Sequence, residues 1–130
     1  MNIKEQVLSR EQMAHLQELG VDTSDASMCW MQFTNSEMGE YDLDIYDGTL
    51  YKTMKTPGNF VNDIVPTYTI GDLIDKLPKA IEGNCLVINY IYSEIIYKDI
   101  LHYDFEGVGL LTTLYAVLCW VAENHIELIK

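Results

Sequence analysis

Thr69-Ile70-Gly71-Asp72-Leu73-Ile74-Asp75-Lys76-Leu77-Pro78 opens the stretch that decides the fold, and Cys85-Leu86-Val87-Ile88-Asn89-Tyr90-Ile91 follows it across Gly83-Asn84. Ile70, Leu73, Ile74 and Leu77 recur at i, i+3, i+4 and i+7, which predicts a short amphipathic helix with Asp72, Asp75 and Lys76 in water. Thr69 and Asp72 have the spacing of a capping box, Tyr68 and Leu73 that of a hydrophobic staple, and Pro78 limits the helix. The β-branched run 85–91 reads as a central strand. Turns at Tyr92-Ser93 and Lys98-Asp99 then give a meander over 85–91, 94–98 and 100–105, its register left open because Ile95, Ile96 and Tyr97 are all apolar. Gly107 to about His125 closes the unit as an apolar helix. At about 100° per residue, Leu110, Leu111, Leu114, Leu118, Val121 and His125 share one stripe, with Thr112, Ala116, Cys119 and Glu123 opposite. Two helices bracketing three strands can bury a common core. The expected fold is therefore a single α+β domain over residues 1–130, with an antiparallel sheet built from a hairpin and a three-stranded meander. The second and last helices pack on one face and an N-terminal helix lies at the edge.

Working outward from that unit, Ser9-Arg10-Glu11-Gln12 fits a second capping box, with Leu8 and Met13 placed as a staple. Gly20 stops this first helix, and Val21 can fold back on its last turn. Asp22-Thr23-Ser24-Asp25-Ala26-Ser27 reads as a polar turn bonding local amides rather than as a metal site. Met28-Cys29-Trp30-Met31-Gln32-Phe33 reads as a strand. Between Glu40 and Met54, Tyr41, Leu43 and Ile45 alternate with Asp42, Asp44 and Tyr46, and Asp47-Gly48 suits a two-residue hairpin turn. Ile45 and Tyr41 are expected to face a core, with Asp44 outside opposite Tyr51. The acid spacing fails as a calcium loop: counted from Asp42, its sixth residue is Asp47 rather than glycine and its twelfth Thr53 rather than glutamate. From Lys55 to Pro66 the signals are those of a loop, with a turn at Pro57-Gly58-Asn59.

The 130 residues carry 20 acidic against 8 basic groups, a net charge of −12. The acids run from Glu5 to Glu127 and not in a tail, so they form an acidic surface that repels phosphate; direct nucleic-acid binding is not expected, while a basic protein partner and mimicry of a nucleic acid both stay open. The 48% hydrophobic content excludes a disordered chain. Cys29, Cys85 and Cys119 are odd in number and lack metal-ligand spacing, so free thiols in a reducing compartment are expected. The N-terminal residues lack a signal-peptide pattern, and the apolar tract of the last helix, interrupted by Thr112 and Thr113 and ended at Glu123, is too short to span a membrane. The expected location is the cytoplasm.

Residues with the chemistry of a catalytic centre do not converge in the sequence. His15, His102 and His125 are isolated, and His125 lies six residues from Cys119, on a different helix face. No phosphate-loop, dinucleotide, zinc-protease or serine-hydrolase motif occurs. No catalytic, metal or cofactor residues are therefore assigned. Trp120 lies off the centre of its stripe, so either another element covers it or it serves a contact between chains, such as a homodimer. The candidate interaction surface is Asp42, Asp44, Tyr46, Tyr51 and Trp120.

Three stretches carry a resemblance: residues 7–28, containing Val7-Leu8-Ser9-Arg10-Glu11-Gln12-Met13; Pro66 to Pro78; and Leu118-Cys119-Trp120 with Glu123-Asn124. Together they resemble a family of small uncharacterised proteins encoded by prophages and mobile elements of gut bacteria. The resemblance covers about half the chain and implies genomic context, with no activity and no functional residues to carry over. The expected function is a non-enzymatic acidic protein-binding accessory module. The alternatives are an acidic nucleic-acid mimic that blocks a host DNA-binding or defence protein, and a small hydrolase pairing His102 with Cys85 or Cys119.

Overall fold

The computed structural model describes residues 3–34, 37–47 and 61–129. Among them are three α-helices, α1 (Arg10–Glu18), α2 (Ile70–Lys76) and α3 (Leu110–Asn124). The strands are β1 (Met28–Phe33), β2 (Asp42–Ile45), β3 (Val61–Thr67), β4 (Ala80–Ile81), β5 (Asn84–Asn89), β6 (Glu94–Tyr97) and β7 (Leu101–Asp104). The class is α+β with antiparallel pairing throughout, and the strands divide between two sheets, β2-β1-β3 and β4-β5-β6-β7.

Local chemistry sets the helix ends as the sequence predicts. The Ser9 hydroxyl accepts the Gln12 amide at 3.1 Å while Gln12 Oε1 accepts the Ser9 amide at 2.9 Å. Thr69 and Asp72 repeat this arrangement at 3.1 and 3.0 Å. At the end of α1 the Val21 amide reaches Leu16 O and the Gly20 amide reaches Gln17 O. This double closure requires the left-handed φ of 94° that Gly20 adopts.

The main core joins all three helices to one face of the second sheet. Leu8, Met13, Leu16, Tyr68, Leu73, Ile81, Ile95, Tyr97, Leu114, Val117, Leu118 and Val121 are almost fully buried. Burial of this kind stabilises by about 25 cal/mol per Å² of apolar surface, so these side chains outweigh any surface ion pair here. Residues 7 and 8 are sewn to the start of α2: Val7 bridges Thr69, and the Leu8 amide donates to Tyr68 O at 3.0 Å. Leu8 O in turn accepts from Thr67 Oγ1 at 2.6 Å and Trp30 Nε1 at 2.9 Å, which ties the first sheet to α1. A second, smaller cluster of Cys29, Met31 and Val61, with Phe33, Tyr46 and Ile64 against it, lies on one face of the first sheet.

Four expectations need correction. The loop expected up to Pro66 is from Val61 onward the edge strand β3, where Pro66 sits opposite Cys29. An edge strand tolerates a residue without an N–H, and a register shift at Gln32/Phe33 breaks the alternation by which a strand is recognised. The first arm of the expected hairpin exists as β2, but its described partner is β1; Gly48, the second arm and the turn at Pro57 lie outside the described residues. Ile45, expected to face a core, is 70% exposed. In α3 Leu114, Leu118 and Val121 of the expected stripe are fully buried, but so is Val117, with Thr113 and Ala122 beside it, so the buried face is wider than expected, while His125 is only half-buried. A helix clasped by α1, α2 and β7 buries more than one face.

Candidate functional site

The outer face of the second sheet gathers the side chains that folding leaves unexplained. In β5–β6–β7 the inner face carries Leu86, Ile88, Ile95, Tyr97, Leu101 and Tyr103, all in contact with the main core. Strand alternation then sends Val87, Glu94, Ile96, His102 and Asp104 outward. Pairing places Glu94 opposite Asp104 and Ile96 opposite His102. His102 Nε2 lies 3.3 Å from Glu94 Oε1 and 3.3 Å from Asp104 Oδ1.

At one end of this face the chain turns over between β5 and β6. The sequence suggests a strand continuing to Ile91, but β5 ends at Asn89, whose side chain accepts the Ile91 and Tyr92 amides at 3.0 and 3.3 Å. That local bond competes with ladder pairing and ends the strand. Tyr90, Ile91 and Tyr92 are left 66%, 87% and 70% exposed. The turn is nonetheless ordered. The Phe105 amide donates to Ser93 O at 2.8 Å, and Tyr90 meets Phe105 edge to face at 6.3 Å. Glu94 and Asp104 pair beside Asn89 at this end of the sheet, and Glu106 follows Phe105, so the tip is bordered by acids.

The residues expected to form a surface are scattered by comparison. Asp42 and Asp44 are exposed on β2, Asp42 lying 3.8 Å from Lys4 and Asp44 accepting the Ile45 amide at 2.7 Å. Tyr46 is half-buried and touches both core clusters, and Tyr51 lies outside the described residues. Trp120, for which the sequence leaves open cover by another element or a contact between chains, packs half-buried on the main core with its ring 5.5 Å from that of His125.

The histidine–cysteine pairs do not assemble either. Cys119 packs against the core, beyond the inner face of the sheet, whereas His102 is on the outer face. Cys85 shares the outer face but sits two strands from His102, about 10 Å at ordinary strand spacing and beyond proton-transfer reach. Burial pushes the thiols of Cys29, to about 11, and of Cys119 upward, the reverse of what a nucleophile needs.

A cleft of about 310 Å³ lies between residues 3–7, β1, β2 and the start of α2. Ile3, Val7, Met28, Leu43 and Ile70 line it with Gln6, Thr69 and Gly71, and among the described residues no ionisable side chain lines it. The turn 22–27, where acids and hydroxyls crowd, is fully engaged in folding. Asp22 takes the Ser24 amide, Asp25 takes Tyr68 and Lys76, and Ser27 donates to Asp72. Among the described residues no helix is long and apolar enough to cross a membrane. Comparison with protein-family models, curated proteins and solved structures found no match.

The sequence reading missed the tip because Tyr90 and Ile91 continue a strand-like run. Its signal was Asn89, a residue that bonds amides two positions on and so ends strands. Glu94, His102 and Asp104 were hidden differently, since only the β6–β7 register brings them together.

Proposed function

We propose that the protein is a non-enzymatic acidic module that docks on another protein through the Tyr90-Ile91-Tyr92 tip. The observation that carries this reading is three consecutive large side chains, each more than 60% exposed, on a turn fixed by Asn89 and Phe105. Exposed apolar surface held in one conformation costs little further entropy on binding, and tyrosine is among the residues that carry interface energy. The acids bordering the tip select the partner. Glu94, Asp104 and Glu106, within a net charge of −12, favour an apolar cleft rimmed by lysine and arginine. The resemblance of residues 7–28, 66–78 and 118–124 to prophage and mobile-element proteins sets the context, an accessory module acting on a host protein.

The test is affinity capture by the full chain and by a variant combining Tyr90→Ser, Ile91→Ser and Tyr92→Ser, with circular dichroism to establish that both are folded. The expected result is a basic protein retained by the native chain, released by salt, and lost from the variant. Equal retention by both proteins would sink the tip as the docking element. If the proteins retained equally are DNA-binding ones, the wider acidic surface acts instead, as in nucleic-acid mimicry.

A further inference from the structure

The geometry points to a binding site for a divalent transition ion of the zinc class on the outer face of the second sheet, formed by Glu94, His102 and Asp104. The β6–β7 register fixes it: Glu94 stands opposite Asp104, and His102 precedes Asp104 by two residues, so all three side chains leave the same face. One ligand atom from each lies within 4.8 Å of the other two.

The distances suit a shared ion. Two ligands held about 2.0–2.1 Å from one tetrahedral ion stand about 3.3 Å apart. His102 Nε2 is 3.3 Å from each carboxylate oxygen, longer than a charge-assisted hydrogen bond of about 2.8 Å. The donor set selects the ion. One imidazole nitrogen with two carboxylate oxygens is borderline in softness, matching zinc or cobalt. Calcium and magnesium call for more oxygens, and copper(I) for sulfur. Charge favours occupancy as well: among the described residues no lysine or arginine pairs with Glu94 or Asp104, so with a neutral imidazole the site carries two negative charges against one divalent ion. The ligands stand on hydrogen-bonded strands rather than loops, so little ordering is lost on binding. Three protein ligands leave the fourth tetrahedral position to water.

The site stands whether or not the tip docks, because its test needs no partner. Zinc is titrated into the full chain by calorimetry, and cobalt is followed by its visible absorption, which reports tetrahedral geometry. One equivalent is expected, with affinity falling about tenfold or more in His102→Ala, Glu94→Gln and Asp104→Asn. His102 and Asp104 are exposed, and Glu94 is half-buried on the sheet face turned away from the core, so circular dichroism should stay native. His15→Ala, His125→Ala and Cys85→Ser are expected to bind as the native chain does, since their side chains lie outside the cluster. Zinc binding that survives His102→Ala, or that is lost with Cys85→Ser, would overturn the assignment. So would the absence of saturable binding, which would leave the three groups as an ion-paired cluster.

Discussion

Tyr68 shows how one side chain settles what a polar turn is for. Its ring is fully buried beneath α2, and its hydroxyl donates to Asp25 Oδ1 at 2.6 Å with Asp22 O at 3.0 Å. Lys76 Nζ donates to Asp22 O at 2.9 Å and to Asp25 Oδ2 at 3.0 Å. A hydrogen bond from a buried hydroxyl to a carboxylate contributes about 2 kcal/mol, whereas the lysine pair, with the Asp25 side chain 52% exposed although that of Lys76 is nearly buried, contributes less. Tyr68→Phe is thus expected to lower unfolding free energy by about 2 kcal/mol in urea denaturation, with a smaller effect from Lys76→Met. An equal effect from the two would show that the hydroxyl is not the anchor. Trp120 makes the complementary case. A tryptophan off the centre of its helix stripe is either covered by another element or left for a contact between chains, and here its ring packs on the core and against His125. Trp120→Ala should cost about 2 kcal/mol, less than a fully buried aromatic, and leave the mass by light scattering unchanged. A drop in mass would instead assign Trp120 to a contact between copies.

At the scale of elements, the sequence was legible wherever a structure closes locally. Ser9 with Gln12, Thr69 with Asp72, and Gly20 with Val21 specify their helix ends within a few residues, and each bond is present. The two caps are not equal, however. Asp72 Oδ2 accepts both the Thr69 amide and the Ser27 hydroxyl, so the second box also fastens the 22–27 turn to α2. Ser9→Ala and Thr69→Ala should each cost about 1 kcal/mol, and Asp72→Ala more than either. Hydrogen exchange should show the Asp72 loss spreading to the amide of Ser27, and exchange confined to α2 would count against the shared role. The start of α3 is different: Gly109 has φ 102° and no side chain caps the helix there. Gly109→Ala meets no neighbouring atom but must adopt an extended positive-φ backbone essentially confined to glycine, and is expected to cost about 1–3 kcal/mol. What local reading could not supply is pairing. Strand β3 carries a proline and faces a register shift, so its identity lies in its bonds to β1 rather than in its own alternation. The Glu94, His102 and Asp104 cluster is likewise a product of register. Their sequence separation says only that two strands can meet, and the meander was legible where its register was not.

Over the whole molecule the same burial that builds the core sets its response to alkali. Desolvation raises Cys29 to about 11 and Tyr115 to about 12, with Asp44 adding to the first and Cys119 to the second. Tyr68 and Tyr97 are raised further, mainly by burial, and Tyr41 is raised by its bond to Asp63. Each shift favours the neutral form in the folded state. The stability they confer is therefore complete below the ordinary values, about 8.5 for a thiol and about 10 for a phenol, and is lost as pH rises through the folded ones. Tyr68, Tyr97 and Tyr115 pack in or on the main core and Cys29 in the smaller one, so their losses accumulate over the same alkaline range. Each ionisation also deepens a charge that is already −12. Urea midpoints should hold steady to about pH 8.5 and then fall continuously toward about pH 11. Tyrosinate absorbance should show Tyr41, Tyr68, Tyr97 and Tyr115 ionising late, together with unfolding. Replacing Tyr97 by Phe separates titration from packing, since it removes the ionisable hydroxyl and its 2.6 Å bond to Pro78 O while keeping the ring. That variant should be less stable near neutrality yet lose less on going to high pH. A parallel fall in both proteins would mean that surface charge, and not the buried phenols, drives alkaline unfolding.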